Sequence, residues 1–488
     1  MNVERLRERL EPLLEAVAQE QYALAISEMR GSGVGGVYEQ GSDLLGRDRI
    51  SDVQRALSGS GGAEEKRIRA LLEYLVHARA SCAASPELDQ ILTWEARTSV
   101  SVEDSRYRMR QMLSVIADAE DVDERRALRE ARLSAIDEQT PLLEGYLARH
   151  RESVVELGYG SYVESCEVLS GIDVRGLARD GARFLADTEA QFRELLAWYL
   201  PRVAGVEPGA AVGADGLRME RAASYDRVFG SNMIWGLQTL LAETRLDVLA
   251  DGRVRIETKR SLANGAASAI HTLRIPDEIV LEVAPTAGRS SHDLFLRCLG
   301  SALHYANIDP SHPLEQRWLG DESVPLAMGR VFASILENRV LLGRFYRLSG
   351  DELEEYLRFS SLLKLFRIRR DIGELQFQLA LLEEPDSREI LALYTELLSA
   401  ASGLRYDERG ALMTAEPGFR VARRLRAEQL QNVITNYLRE RFDEDWFRNP
   451  RAGEALLAMF TPGQAFSASE VSVQLSSLPL SFARVAEG

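Results

Sequence analysis

Lysine is nearly missing from this chain. Of 59 basic residues only Lys66, Lys259 and Lys364 are lysines, the rest being arginines, a skew that carries no mechanism by itself. Those cations are outnumbered by 75 Asp and Glu, giving a formal charge of −16, and they form no isolated basic run. Nucleic acid and anionic membrane both demand clustered cations, so neither is expected as a partner. Cysteine is scarce too: Cys82, Cys166 and Cys298 lie far apart and are odd in number, which argues against a disulfide framework and for a reducing compartment. No stretch approaches the roughly 20 apolar residues that span a bilayer. The opening Met1-Asn2-Val3-Glu4-Arg5-Leu6 mixes charges where a signal peptide needs an apolar run, so a cytoplasmic location is expected.

What is present is mostly helical pattern. Leu6, Leu10, Leu13, Val17 and Leu24 follow one-face spacing, and similar stripes recur through about 65–80, 105–157 and 173–200; such stripes are read as packing faces. Residues 31–36 match Gly-x-Gly-x-x-Gly, but they follow a helix instead of a strand, which speaks against a phosphate loop. Strand-like alternation is confined to the middle: a hairpin from Val248 and Leu249 through Asp251-Gly252 to Val254 and Ile256, then strands over about 269–275 and 278–283. A helix over 290–306 follows, with Ser290 and Asp293 as its cap. Further helices are expected over about 322–346 and 351–384, the second opened by Ser349-Gly350-Asp351-Glu352.

The helix over 290–306 has the frame of a catalytic element and none of its chemistry. A zinc helix needs His-Glu-x-x-His, because residues four apart share a face and the glutamate then sits beside the metal-bound water. Here Arg297, Cys298 and Ser301 stand at that spacing, and no two of the six histidines (His77, His150, His271, His292, His304, His312) are four apart. A guanidinium only donates and stays charged, so it repels a divalent cation. Other nucleophiles fare little better. Cys298 and His304, six apart, lie about 120° apart around a helix. Ser301 and His304 can touch, but no local sign of an orienting acid or oxyanion hole accompanies them.

The stretch Leu294-Phe295-Leu296-Arg297-Cys298-Leu299-Gly300-Ser301-Ala302-Leu303-His304-Tyr305-Ala306 resembles the zinc-helix segment of oligoendopeptidase-F and thimet-oligopeptidase-type metallopeptidases. Arg274-Ile275-Pro276-Asp277-Glu278 before it, Asp309-Pro310-Ser311-His312-Pro313 and Gly320-Asp321-Glu322-Ser323-Val324 after it, and Glu440 to Pro450 with Ala452-Gly453 extend the resemblance over nearly the whole chain. It implies a mainly α, zincin-like fold with a deep central cleft and a small β insert. It also places the family's first zinc histidine at Arg297, its catalytic glutamate at Cys298, its second histidine at Ser301, its third ligand at Leu326 and a cleft-wall tyrosine at Arg424.

Every one of those functional side chains is different here, so no catalytic residue, metal ligand or zinc cofactor is expected. The expected molecule is an inactive homologue that keeps a cleft for a peptide or protein partner. A peptide would lie as an added strand beside 278–283, and His304, Tyr305, Glu322 and Arg424 are the cleft candidates. A guanidinium–carboxylate pair between Arg297 and Glu322 would fill the former metal space. The alternative is an active zinc peptidase with ligands from His292, His304, His312, Asp309 or Glu322. Three parts are expected: a helical lobe over 1–170, a central part over 171–345 with its sheet at about 246–284 and its two altered site helices at 290–306 and 322–346, and a helical lobe over 346–488. The oligomeric state is left open.

Overall fold

A computed structural model describes residues 3–27, 31–231, 242–246, 251–384, 389–476 and 478–487. Its principal helices are α1 (Val3–Ile26), α2 (Gly62–Ala83), α3 (Val174–Ala204), α4 (Arg289–Ala306), α5 (Ser323–Ala333), α6 (Gly350–Glu383), α7 (Arg420–Phe442) and α8 (Pro450–Phe460). The fold is mainly α, with a small β insert. Leu6, Leu10, Leu13, Leu14 and Val17 of α1 are buried, as their spacing predicts. Asp173 caps α3 by accepting from the Gly176 amide, and Gly205, in the left-handed region at φ 72°, ends it.

Two apolar clusters carry most of the core. One joins α1, α2, α3 and α6 through side chains such as Leu71, Phe192, Phe359 and Phe366. The other lies beneath the sheet, where Phe295, Leu299 and Leu303 of α4 meet Met328 and Phe332 of α5, Ile434 of α7 and Phe460 of α8.

The sheet order corrects one expectation. Strands β3 (Val254–Thr258), β4 (Ser268–Arg274) and β5 (Glu278–Val283) lie in the order β3-β5-β4, with β3 parallel and β4 antiparallel to β5. Strand 278–283 is therefore central, and both its edges are already bonded, so it has no edge to offer a peptide. Its apolar run Ile279-Val280-Leu281 fits that place, since a strand covered on both faces does not alternate. Val248 and Leu249 of the expected hairpin lie outside the described residues; β3 pairs along one edge with β5.

Other boundaries shift for local reasons. The stripe over 105–157 opens on an antiparallel pair, β1 (Ser99–Val102) and β2 (Ser105–Arg108), turned at Glu103 with φ 51°. Three helices then cover 112–118, 122–137 and 140–155. The helix expected over 322–346 stops at Ala333, passes through a tight turn, and restarts at Arg339 because Asn338 accepts from the Val340 and Leu341 amides. Gly288, not Ser290, occupies the cap of α4, and the Ser349 side chain makes no cap bond to α6. In the glycine-rich segment the Gly33 and Gly35 amides bond Glu20 and Asp89, so the chain's own carboxylates meet the donors a phosphate would need.

Candidate functional site

The floor of the site is the crossing of α4 and α5, and glycine makes it possible. A Cβ on Gly300 would come within 2.5 Å of the Met328 carbonyl, and one on Gly329 within 2.5 Å of the Arg297 carbonyl. At this close approach Ser301 Oγ donates to the Pro325 carbonyl at 3.0 Å, so its hydroxyl is spent on joining the two helices.

Arg297, one turn before Ser301, donates from Nε to Asp293 at 2.7 Å. Asp293 also has Arg367 of α6 at 3.5 Å and Arg289 at 3.8 Å, and Arg330 of α5 meets Glu428 of α7 at 2.7 Å. Burial opposes the Arg297 charge, but Asp293 and Glu428 outweigh it and hold its pKa above the ordinary arginine value. Burial likewise raises the Asp293 pKa, yet Arg297, Arg367 and Arg289 together pull it well below the usual carboxylate range. With Glu337, 3.6 Å from Arg289, the network holds four guanidiniums and three carboxylates, a net of one positive charge where the resemblance places a zinc ion.

That arrangement does not fit a divalent metal. Cys298 is buried, which pushes its thiol pKa up to about 12 and away from thiolate chemistry. Leu326 is half-buried against the core beneath the sheet. It sits one turn before Arg330, on the stripe of α5 that meets Glu428. Among the described residues no three His, Cys, Asp or Glu side chains converge as a metal-binding group.

The cleft candidates separate. His304 lies two turns beyond Arg297 on the same face, but there α8 covers the helix: its ring is fully buried against Tyr305 and Phe460 with neither nitrogen bonded. It is a core residue, and the cleft expectation for it is corrected. Glu322 is taken by Arg420 at 3.0 Å and does not face Arg297, so the expected Arg297–Glu322 pair is replaced by Arg297–Asp293. Tyr305 adjoins that Arg420–Glu322 pair; burial, then Glu322, raises its phenol pKa. Arg424 is held among Glu374 at 2.7 Å, Glu416 at 2.8 Å and Asp371 at 3.5 Å. Of the alternative ligands, His292 is buried with Nδ1 on the Gly288 carbonyl, and Asp309 bonds the Ser311 amide and hydroxyl. They stand in separate surroundings.

A cavity of about 660 Å³ lies between α1, the helices over 85–97 and 112–118, and the sheet, with Arg420 at its border and no side chain of α4 or α5 in its lining. Outer strand β4 supplies Ala269 and His271, and Leu262 borders both this cavity and a neighbouring one of about 270 Å³. His271 Nε2 lies 2.9 Å from Glu282, which also pairs with Lys259, while Tyr22 of α1 donates to Glu257 at 3.1 Å. Sequence reasoning missed these residues and the partners Asp293 and Glu428. Asp293 had a legible signal, the i, i+4 spacing to Arg297; Glu428, from a helix 131 positions later, had none.

No family model and no curated protein sequence matches this chain. Among solved structures it is similar to PZ peptidase A with inhibitor 2, at TM-score 0.60 and 15% identity over 90% of this chain and 82% of that one. At that identity the likeness is one of fold, and it makes the chain metallopeptidase-like in architecture.

Proposed function

We propose that the protein is a catalytically inactive relative of zinc oligopeptidases that uses its cleft to hold a peptide or a segment of a protein partner. The observation that carries this reading is the use made of the ligand positions. Arg297 is bonded to Asp293, Ser301 to the Pro325 carbonyl, and Leu326 presents only carbon. Each is committed to holding α4, α5 and their surroundings together, and the net positive charge of the network opposes a cation. We take the cavity between α1 and the sheet as that cleft: its volume suits a short peptide, and outer strand β4 lies alongside it.

Elemental analysis of gel-filtered protein should find far less than one zinc per chain. Short fluorogenic peptides should not be cleaved, but some should bind saturably by fluorescence anisotropy. Stoichiometric zinc that survives mild chelation, together with peptide hydrolysis, would overturn the proposal; so would failure of a broad peptide library to bind.

A further inference from the structure

Away from that cleft, a polar cavity of about 230 Å³ lies between α6, α7 and the turn that follows α5. It adjoins the ion network: Glu337 lines it, and Lys364 stands three residues before Arg367, Asn432 four after Glu428, and Ser334 four after Arg330. Of the chain's three lysines, Lys66 pairs with Glu470 and Lys259 with Glu282, whereas Lys364 has no carboxylate partner among the described residues and borders the cavity.

Asn432 supplies the second observation. It is only 5% exposed, its Nδ2 has no hydrogen-bond partner, and it lines the same space. A buried amide donor left unpaired costs about 1–3 kcal/mol, so it marks a place where an acceptor would be favoured. Thr435 Oγ1 already accepts from Gln431 Nε2 at 2.9 Å, which leaves its proton to give. The single acid among the lining residues, Glu337, stands 3.6 Å from Arg289.

We propose that this cavity binds the oxyanion of a small molecule, a phosphate or a carboxylate, with Lys364 as its point charge and the Asn432 amide and Thr435 hydroxyl as neutral donors. Lysine suits that task because its ammonium offers three donors on a flexible stem. The volume admits a compact ligand of a few carbons and excludes a peptide.

Calorimetric titration of the intact protein with inorganic phosphate, glyceraldehyde 3-phosphate and succinate tests this and separates the two sources. Saturable binding of either phosphate compound, or of succinate alone, supports an oxyanion site and assigns its chemistry. Lys364→Ala and Asn432→Leu should each weaken that binding at least tenfold while circular dichroism and the melting temperature stay within a few degrees of the parent. If Asn432→Leu fails to fold, Lys364→Ala, which alters a partly exposed side chain, decides alone. Absence of saturable binding for all three probes, or affinity unchanged by Lys364→Ala, overturns the proposal.

Discussion

Arg297 holds its place through charge, and its surroundings set the cost of losing it. Removing one member of a buried ion pair strands the other. In Arg297→Ala, Asp293 would keep Arg367 at 3.5 Å and Arg289 at 3.8 Å but lose its 2.7 Å partner, and Glu428 would lose a neighbouring charge. We expect a loss of about 3 kcal/mol in urea unfolding; a change below about 1 kcal/mol would show that the network does not depend on this residue. His304 is the opposite case. Both its ring nitrogens are buried without partners, so His304→Phe, which keeps an aromatic ring against Phe460, should be neutral or stabilising by up to about 2 kcal/mol at neutral pH. A destabilised variant would mean that the imidazole has a polar role.

At the scale of elements, the α4–α5 crossing is set by backbone contact. Gly329→Ala would press a methyl group to 2.5 Å from the Arg297 carbonyl and 2.9 Å from Ser301 Oγ, neither of which is a flexible chain end. Thermal unfolding should show a loss of about 2 kcal/mol or more. Gly36→Ala is the internal control, because nothing lies within 4 Å of its added carbon and its helix benefits from alanine. If both variants melt alike, close packing at the crossing is not what matters. The sheet is likewise a matter of pairing: β5 takes the centre because β3 and β4 both bond to it, which leaves β4 as an outer strand beside the 660 Å³ cavity.

The whole molecule should be sensitive to acid. Burial lowers the pKa of His77 to about 4 and of His150 and His304 to about 3, all below the ordinary 6.5. Below pH 6.5 the unfolded chain takes up protons at these sites while the folded chain does not. Stability is therefore complete above about pH 6.5 and is lost as pH falls toward the folded values, by about 2 kcal/mol per histidine at pH 5. Denaturant midpoints measured from pH 8 to pH 4.5 should fall steeply below pH 6.5, and because burial lowers the His292 pKa as well, His304→Phe should flatten that slope by roughly a quarter. A flat profile, or a slope untouched by the variant, would contradict the buried neutral state of these rings.

The helical character of the chain, the span of α4 and α6, and the replacement of every side chain a zinc helix requires were all legible in the order of residues. Periodicity and residue chemistry are local properties, readable along the chain. The i, i+4 relation of Asp293 to Arg297 was also there to be read, because a single helix fixes that geometry. Tertiary structure alone decided which carboxylates surround Arg297, since Glu428 and Glu337 arrive on other elements. It alone placed Glu322 with Arg420, sent His304 into the core beneath α8, and put β5 in the middle of the sheet. Helix spacing says which residues share a face; only packing says whether that face meets solvent, a carboxylate or a phenylalanine.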